Sequence, residues 1–161
     1  MSHVMIFKKN IKPLVAFVLL AFFLDQISKL LIVHFLTPFE PPTQIIGSLV
    51  RFKLTYNPYG VFSIPFGPSV LYYIFSIIGV IVLLYVGLSL HDRVGIIVFG
   101  FIIGGAIGNV VDRIRLNYVI DFIDMGIGSV RWFTYNLADA YITVGALFLL
   151  IRELIYKKKL M

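Results

Sequence analysis

Four stretches of this chain are long and apolar enough to leave water altogether: residues 14–36, 69–90, 94–111 and 137–155. A helix that crosses a bilayer needs about 20 mostly apolar residues. Inside lipid its backbone polar groups must pair within the segment, which leaves a helix as the only form for such a stretch. The first stretch is interrupted by Asp25 and Lys29, the second carries no charge, and the fourth has Asp139 near its start. Composition agrees: 60% of the 161 residues are hydrophobic and 14% are charged, where soluble domains hold about 45–50% and about 25%. A soluble domain, a disordered chain and a nucleic-acid-binding module are all excluded. The net charge of +6 is therefore read against a bilayer and not against nucleic acid. With no cysteine there is no disulfide, no thiolate nucleophile and no sulfur ligand for a metal. His3, His34 and His91 are scattered, so neither a metal site nor a cofactor is expected.

Lys8, Lys9 and Lys12 before an apolar run suggest a secretory leader. That run lacks a small-x-small cleavage pattern and continues apolar beyond Asp25, so it is read as an uncleaved span. With four spans both termini share one side. Lys8, Lys9, Lys12, Arg93, Arg152, Lys157, Lys158 and Lys159 fall on that side, against Arg51, Lys53, Arg113, Arg115 and Arg131 on the other. The excess predicts cytoplasmic termini.

The connection between the middle spans is the bare turn His91-Asp92-Arg93. The other two connections are long, and long loops are often functional. In residues 37–68, after Pro38, Pro41 and Pro42, the side chains alternate. Val50, Phe52, Leu54 and Tyr56 lie on one face, with Arg51, Lys53 and Thr55 on the other. This predicts a half-buried strand, a turn at Asn57-Pro58-Tyr59-Gly60 and a return strand at residues 61–64. Residues 116–135 hold Asp121, Asp124, Arg131 and Trp132. Trp and Tyr favour the bilayer boundary, so this segment is expected to lie along the surface. The expectation is one integral membrane domain over residues 1–161: a four-transmembrane-helix all-α bundle with a small extracytoplasmic β-sheet and an interfacial segment.

Ionisable groups within spans are costly, and each marks a candidate site. Asp25 and Lys29, at i and i+4, form a self-neutralising pair facing the bundle. Gly100, Gly104 and Gly108 recur every four residues, which allows close helix contact. Asn109, Asp112 and Arg113 share the next turn of that helix, serving either as an interfacial anchor or as a polar cluster inside the bundle. Asn136 and Asp139, at i and i+3, suit a helix cap as well as chemistry. There is no Gly-x-Ser-x-Gly elbow, no phosphate loop and no thiol, and Ser28 and Lys29 point away from each other as helical neighbours. Carboxylates remain. Two that share a proton can hydrolyse an amide, one taking a proton from water and the other giving one up. Spacing does not select the pair among Asp112, Asp121, Asp124 and Asp139. A relay for a proton-coupled carrier should cross the whole membrane, and the charge-free second span argues against one.

Four motifs carry a resemblance. Asp25-Gln26-Ile27-Ser28-Lys29 is similar to D-Q-x-[ST]-K. Gly108-Asn109-Val110-Val111-Asp112-Arg113 matches G-N-x-x-D-R, and Val119-Ile120-Asp121-Phe122 matches V-[VI]-D-F. Tyr135-Asn136-Leu137-Ala138-Asp139-Ala140 is similar to F-N-x-A-D-[AS]. In this order, over nearly the whole chain, they resemble the lipoprotein signal peptidases (signal peptidase II), which are four-span aspartic membrane proteases of bacteria. The resemblance implies a catalytic dyad of Asp121 and Asp139. It implies supporting roles for Asn57, Asn109, Asp112, Arg113 and Asn136, and a structural or substrate-lining role for Asp25 and Lys29. It demotes Asp124. The implied substrate is a prolipoprotein bearing diacylglycerol on its cysteine and cleaved just before it. The implied partners are that substrate and membrane lipid, with no nucleic acid and no metal. The implied location is the bacterial inner membrane, with the site at the extracytoplasmic rim. Three positions depart from the family pattern: Tyr59 within the N-x-G-[AV]-x-[FW] loop, Asn117 where Gly is common, and Tyr135 for Phe.

Overall fold

The computed structural model describes residues 3–60 and 67–158. The expected return strand at residues 61–64 lies outside the described residues. The elements run α1 (His3–Phe35), β1 (Thr43–Ile46), β2 (Val50–Asn57), α2 (Ser69–Leu88), α3 (Arg93–Leu116), β3 (Val119–Ile127), β4 (Val130–Arg131) and α4 (Leu137–Lys158).

Three of the helices, over Ile11–Phe35, Ser69–Leu88 and Arg93–Leu116, are long and apolar enough to span a membrane. In α4 the charges of Asp139, Arg152, Glu153, Lys157 and Lys158 bracket a shorter uncharged run. The bundle is apolar outside and polar within. Phe35 is 73% exposed and Tyr85 76%, whereas Asp25 and Lys29 are 0% and 1% exposed. Water would reject that arrangement and lipid favours it.

The helix α3 is the hub, packed on the three others. Its start is capped by Asp92, whose Oδ1 accepts the Gly95 N–H at 2.8 Å. Its end is closed by Asn117 at φ 67°, a left-handed backbone that Asn adopts readily. Tyr73 of α2 donates its hydroxyl to Asn117 Oδ1 at 2.9 Å, tying that cap to the neighbouring helix. The glycines set the hub's spacing. A side chain at Gly104 would collide with the Val18 carbonyl and Ala21 of α1, and one at Gly108 with the Asp25 carboxylate. At Gly105 an added Cβ would lie 2.9 Å from the Ala138 carbonyl of α4. One row of glycines therefore admits α1 and a separate glycine admits α4. The helix also runs on to Leu116, beyond the expected end at residue 111, so Asn109, Asp112 and Arg113 all project from regular helix.

The sheet is antiparallel in the order β1-β2-β3-β4 and unites both long connections. Residues 116–135 are thus not a strip apart from the sheet, since β3 is one of its inner strands. Backbone pairing with β2 satisfies amides that a flat surface segment would leave to water. The strand β1 follows directly on the proline-rich run. Between Phe52 and Thr55 the register of β2 against β3 slips by one residue. Such a bulge moves the following side chains to the other face. Tyr56, expected inside, is exposed, and Asn57 is buried instead. Ile32 of α1 packs with Leu54, Ile120 and Phe122, fixing the sheet to the bundle. A second cluster of Leu14, Ile96 and Ile103 holds the far end.

Candidate active site

A cavity of about 1380 Å³ opens between α2, α3, α4 and the sheet. Most of its wall is apolar, supplied by residues such as Leu71, Phe75, Ile142 and Val144. Among its polar lining residues are Asn57, Asn109, Arg113, Asp121 and Asp139, which meet through the hydrogen bonds below.

Two elements deliver the two cavity carboxylates. Asp121 stands on β3, opposite Thr55 of β2. Asp139 stands in the first turn of α4, where it and Asn136 form a reciprocal cap. The Asp139 N–H donates to Asn136 Oδ1 at 3.0 Å, and the Asn136 N–H donates to Asp139 Oδ2 at 3.4 Å. This is the capping box, which satisfies two otherwise orphaned helix amides.

Asn136 joins the two aspartates. Its Nδ2 donates to Asp121 Oδ1 at 2.7 Å, with further contacts to Asn109 Oδ1 at 3.1 Å and the Ile120 carbonyl at 3.2 Å. Asn57 Nδ2 donates to the second oxygen of Asp121 at 3.0 Å, and its Oδ1 accepts the Tyr59 N–H at 2.9 Å. Asn109 Nδ2 donates to Asp139 Oδ1 at 2.9 Å. Arg113 donates to the carbonyls of Tyr59 at 3.1 Å and Asn109 at 3.3 Å. Its buried Nε has no partner among the described residues. Burial pushes the Asp121 carboxyl up to about 7, and the neighbouring Asp139 charge adds to the rise against the hydrogen bonds from Asn57 and Asn136.

Behind the cavity wall lies a second polar layer. Lys29 Nζ reaches Asp25 Oδ2 at 2.7 Å, Asp112 Oδ2 at 2.8 Å and Asn109 Oδ1 at 2.9 Å. Asp25 Oδ1 also accepts the Ala138 N–H at 3.0 Å, tying α1 to the start of α4. The expected Asp25–Lys29 pair is therefore half of a larger cluster, and Asp112 shares the same ammonium. All nine residues singled out from the sequence as site residues fall in this one network. Gln26, quoted with the first motif but given no role, belongs to it too: its Nε2 donates to Asp112 Oδ1 at 3.0 Å and to the Gly108 carbonyl at 3.3 Å. The available signal was a lone amide beside Asp25 in an apolar span.

Asp124 lies elsewhere. Arg51 Nε donates to it at 2.8 Å and Arg131 Nε at 2.9 Å. Partial burial opposes its charge, but the two arginines outweigh that and hold its carboxyl below the usual range. Arg131 also donates to the Ser48 carbonyl at 2.6 Å, so the cluster laces the two hairpins together.

A family model described as Signal peptidase (SPase) II matches residues 17–155. The lipoprotein signal peptidase of Cupriavidus taiwanensis is 37% identical over 144 residues, covering 86% of this chain and 81% of that protein. That of Coxiella burnetii is 34% identical over 159 residues, covering 94% and 96%. A solved bacterial membrane enzyme superposes with a TM-score of 0.80 at 23% identity over 91% of this chain and 90% of its own, which shows the shared fold. The match along residues 17–155 and these full-length relatives place the chain in the signal peptidase II family.

Proposed function

We propose that this chain is an aspartic membrane endopeptidase that removes signal peptides from diacylglyceryl-modified bacterial prolipoproteins, cutting just before the lipidated cysteine, with Asp121 and Asp139 as its dyad. Family membership supports the substrate. The observation that carries the mechanism is Asn136, whose side-chain amide holds the Asp121 carboxylate and whose backbone N–H meets the Asp139 carboxylate, beside a largely apolar cavity that both aspartates line.

In this reading the dyad holds one proton. The ionised carboxylate takes a proton from water as the water oxygen attacks the scissile carbonyl carbon. The protonated carboxyl gives its proton to the departing nitrogen as the C–N bond breaks. Arg113 lines the cavity, and its guanidinium charge suits the negative charge developing on the carbonyl oxygen. The apolar walls suit the lipid chains and the signal helix.

The same reading makes α4 the fourth span, turning exposed Leu147, Leu150 and Ile151 to lipid. It places the chain in the inner membrane as one domain with both termini cytoplasmic and the site at the outer rim. Ile127 and Val130, 79% and 78% exposed at the β3–β4 turn, with Trp132 beside them, would then rest in the bilayer boundary.

The test is cleavage of a diacylglyceryl-modified prolipoprotein by purified protein in detergent. Asp121→Asn and Asp139→Asn are expected to insert normally and to release no shortened product, whereas Asp124→Asn keeps most activity. Full activity in either dyad variant would overturn the assignment, and a dead Asp124→Asn would show that the wrong carboxylates were chosen.

A further inference from the structure

We infer that Lys29 is a positioning residue that sets which end of the Asn109 amide faces Asp139. The inference deepens the dyad reading above and rests on it.

Lys29 is 1% exposed and does not line the cavity, so substrate does not touch it. An ammonium has three donors and no acceptor, and anything facing it must present an acceptor. Here the three donors are spent on Asp25, Asp112 and Asn109 Oδ1. Asn136 Nδ2 makes the same demand on Asn109 Oδ1 from another side, at 3.1 Å. With its oxygen pinned by two donors, the amide must turn Nδ2 the opposite way. That direction is occupied by Asp139 Oδ1, at 2.9 Å. The reversed amide would set an oxygen against the carboxylate and an N–H against the ammonium, two repulsions in place of two bonds. The charge of Lys29 thus reaches Asp139, at one remove, as a hydrogen-bond donor. Lys29 is itself held in aim, because its two carboxylates are fixed by the backbone: Asp25 accepts the Ala138 N–H at 3.0 Å, and Asp112 the Ile120 N–H at 3.3 Å.

The experiment is a double-substitution cycle on Lys29 and Asn109, read as kcat and KM for the lipidated prolipoprotein. Lys29→Met is expected to lower kcat on the order of 10- to 100-fold, the usual effect of losing a group that orients a reacting one, with KM nearly unchanged. Asn109→Ala is expected to do the same. In the Asn109→Ala background Lys29→Met should cost nothing further, because a residue acting through another has no separate effect once that one is gone. Losses that multiply, or a raised KM at constant kcat, would overturn the inference. Removing the cation strands two buried carboxylates, so Lys29→Met is paired with Lys29→Met/Asp25→Asn, which keeps the cluster's charge. Asn109→Asp serves in addition: it keeps an oxygen toward Lys29 but puts another toward Asp139, and high activity in it would overturn the inference. A readout independent of turnover is the ¹⁵N NMR signal of the Asn109 side-chain amide. It should move in Lys29→Met and in Asp139→Asn, and an unmoved signal in Lys29→Met counts against the link. If the wild type fails to cleave, the dyad reading falls, while the NMR result still judges the link between Lys29 and Asn109.

Discussion

Asp121 and Asp124 share a strand and have opposite surroundings. Asp121 is buried beside another carboxylate and between two amides, whereas Asp124 sits between two guanidinium groups. Their spacing of three would place them on one face of a helix. On a strand it sends them to opposite faces, which is why spacing alone did not separate them and only the resemblance did. A consequence for pH follows. Asp121 keeps its proton below about 7 and loses it above. On the proposed chemistry with Asp121 as the acid, the proton it gives to the departing nitrogen is lost as pH rises through that value. Cleavage is therefore expected to fall about tenfold per pH unit on the alkaline side. A rate profile of the purified enzyme checks this, and a flat profile well above pH 7 would remove Asp121 as the acid.

Among the elements, α3 was the most legible. Its four-residue glycine period announced close contact with another helix, which the structure shows to be α1. Gly105 stands outside that period, so the contact with Ala138 of α4 went unread. The β2–β3 pairing was least legible. Asn57 and Asp121 meet across 64 positions, and no local pattern encodes such a partner. The bulge that turns Asn57 inward left no mark in the alternation of Val50, Phe52, Leu54 and Tyr56. The glycine argument has a measurable form. Gly104→Leu should destabilise the bundle by about 1–3 kcal/mol, the usual cost of overpacking. Gly79→Ala, where an added Cβ meets open space, should not. Thermal unfolding in detergent compares them, and equal midpoints for Gly104→Leu and the wild type would refute close packing there.

At the scale of the molecule, the sequence made the membrane class plain. It pointed to a fourth span at residues 137–155, which is not among the described helices long and apolar enough to cross a membrane, because the charges in α4 are concentrated near its ends. It also treated the two outer connections as separate features, whereas one sheet joins them. The proposed orientation can be tested cleanly because the chain has no cysteine. A membrane-impermeant maleimide added to spheroplasts should label Ser129→Cys, at the β3–β4 turn, and leave Ser2→Cys unlabelled until the cells are opened. The reverse pattern would invert the topology.

The clasp between Asn136 and Asp139 has one further consequence. On the proposed chemistry, with Asp121 as the acid, the group that takes the proton from water is also the fastener of its own helix. Each time Asp139 takes up a proton, its hold on the Asn136 N–H slackens, and each time it gives the proton back the hold tightens. The end of α4 is thus a gauge of the reaction's progress, written into the backbone of the chain that drives it.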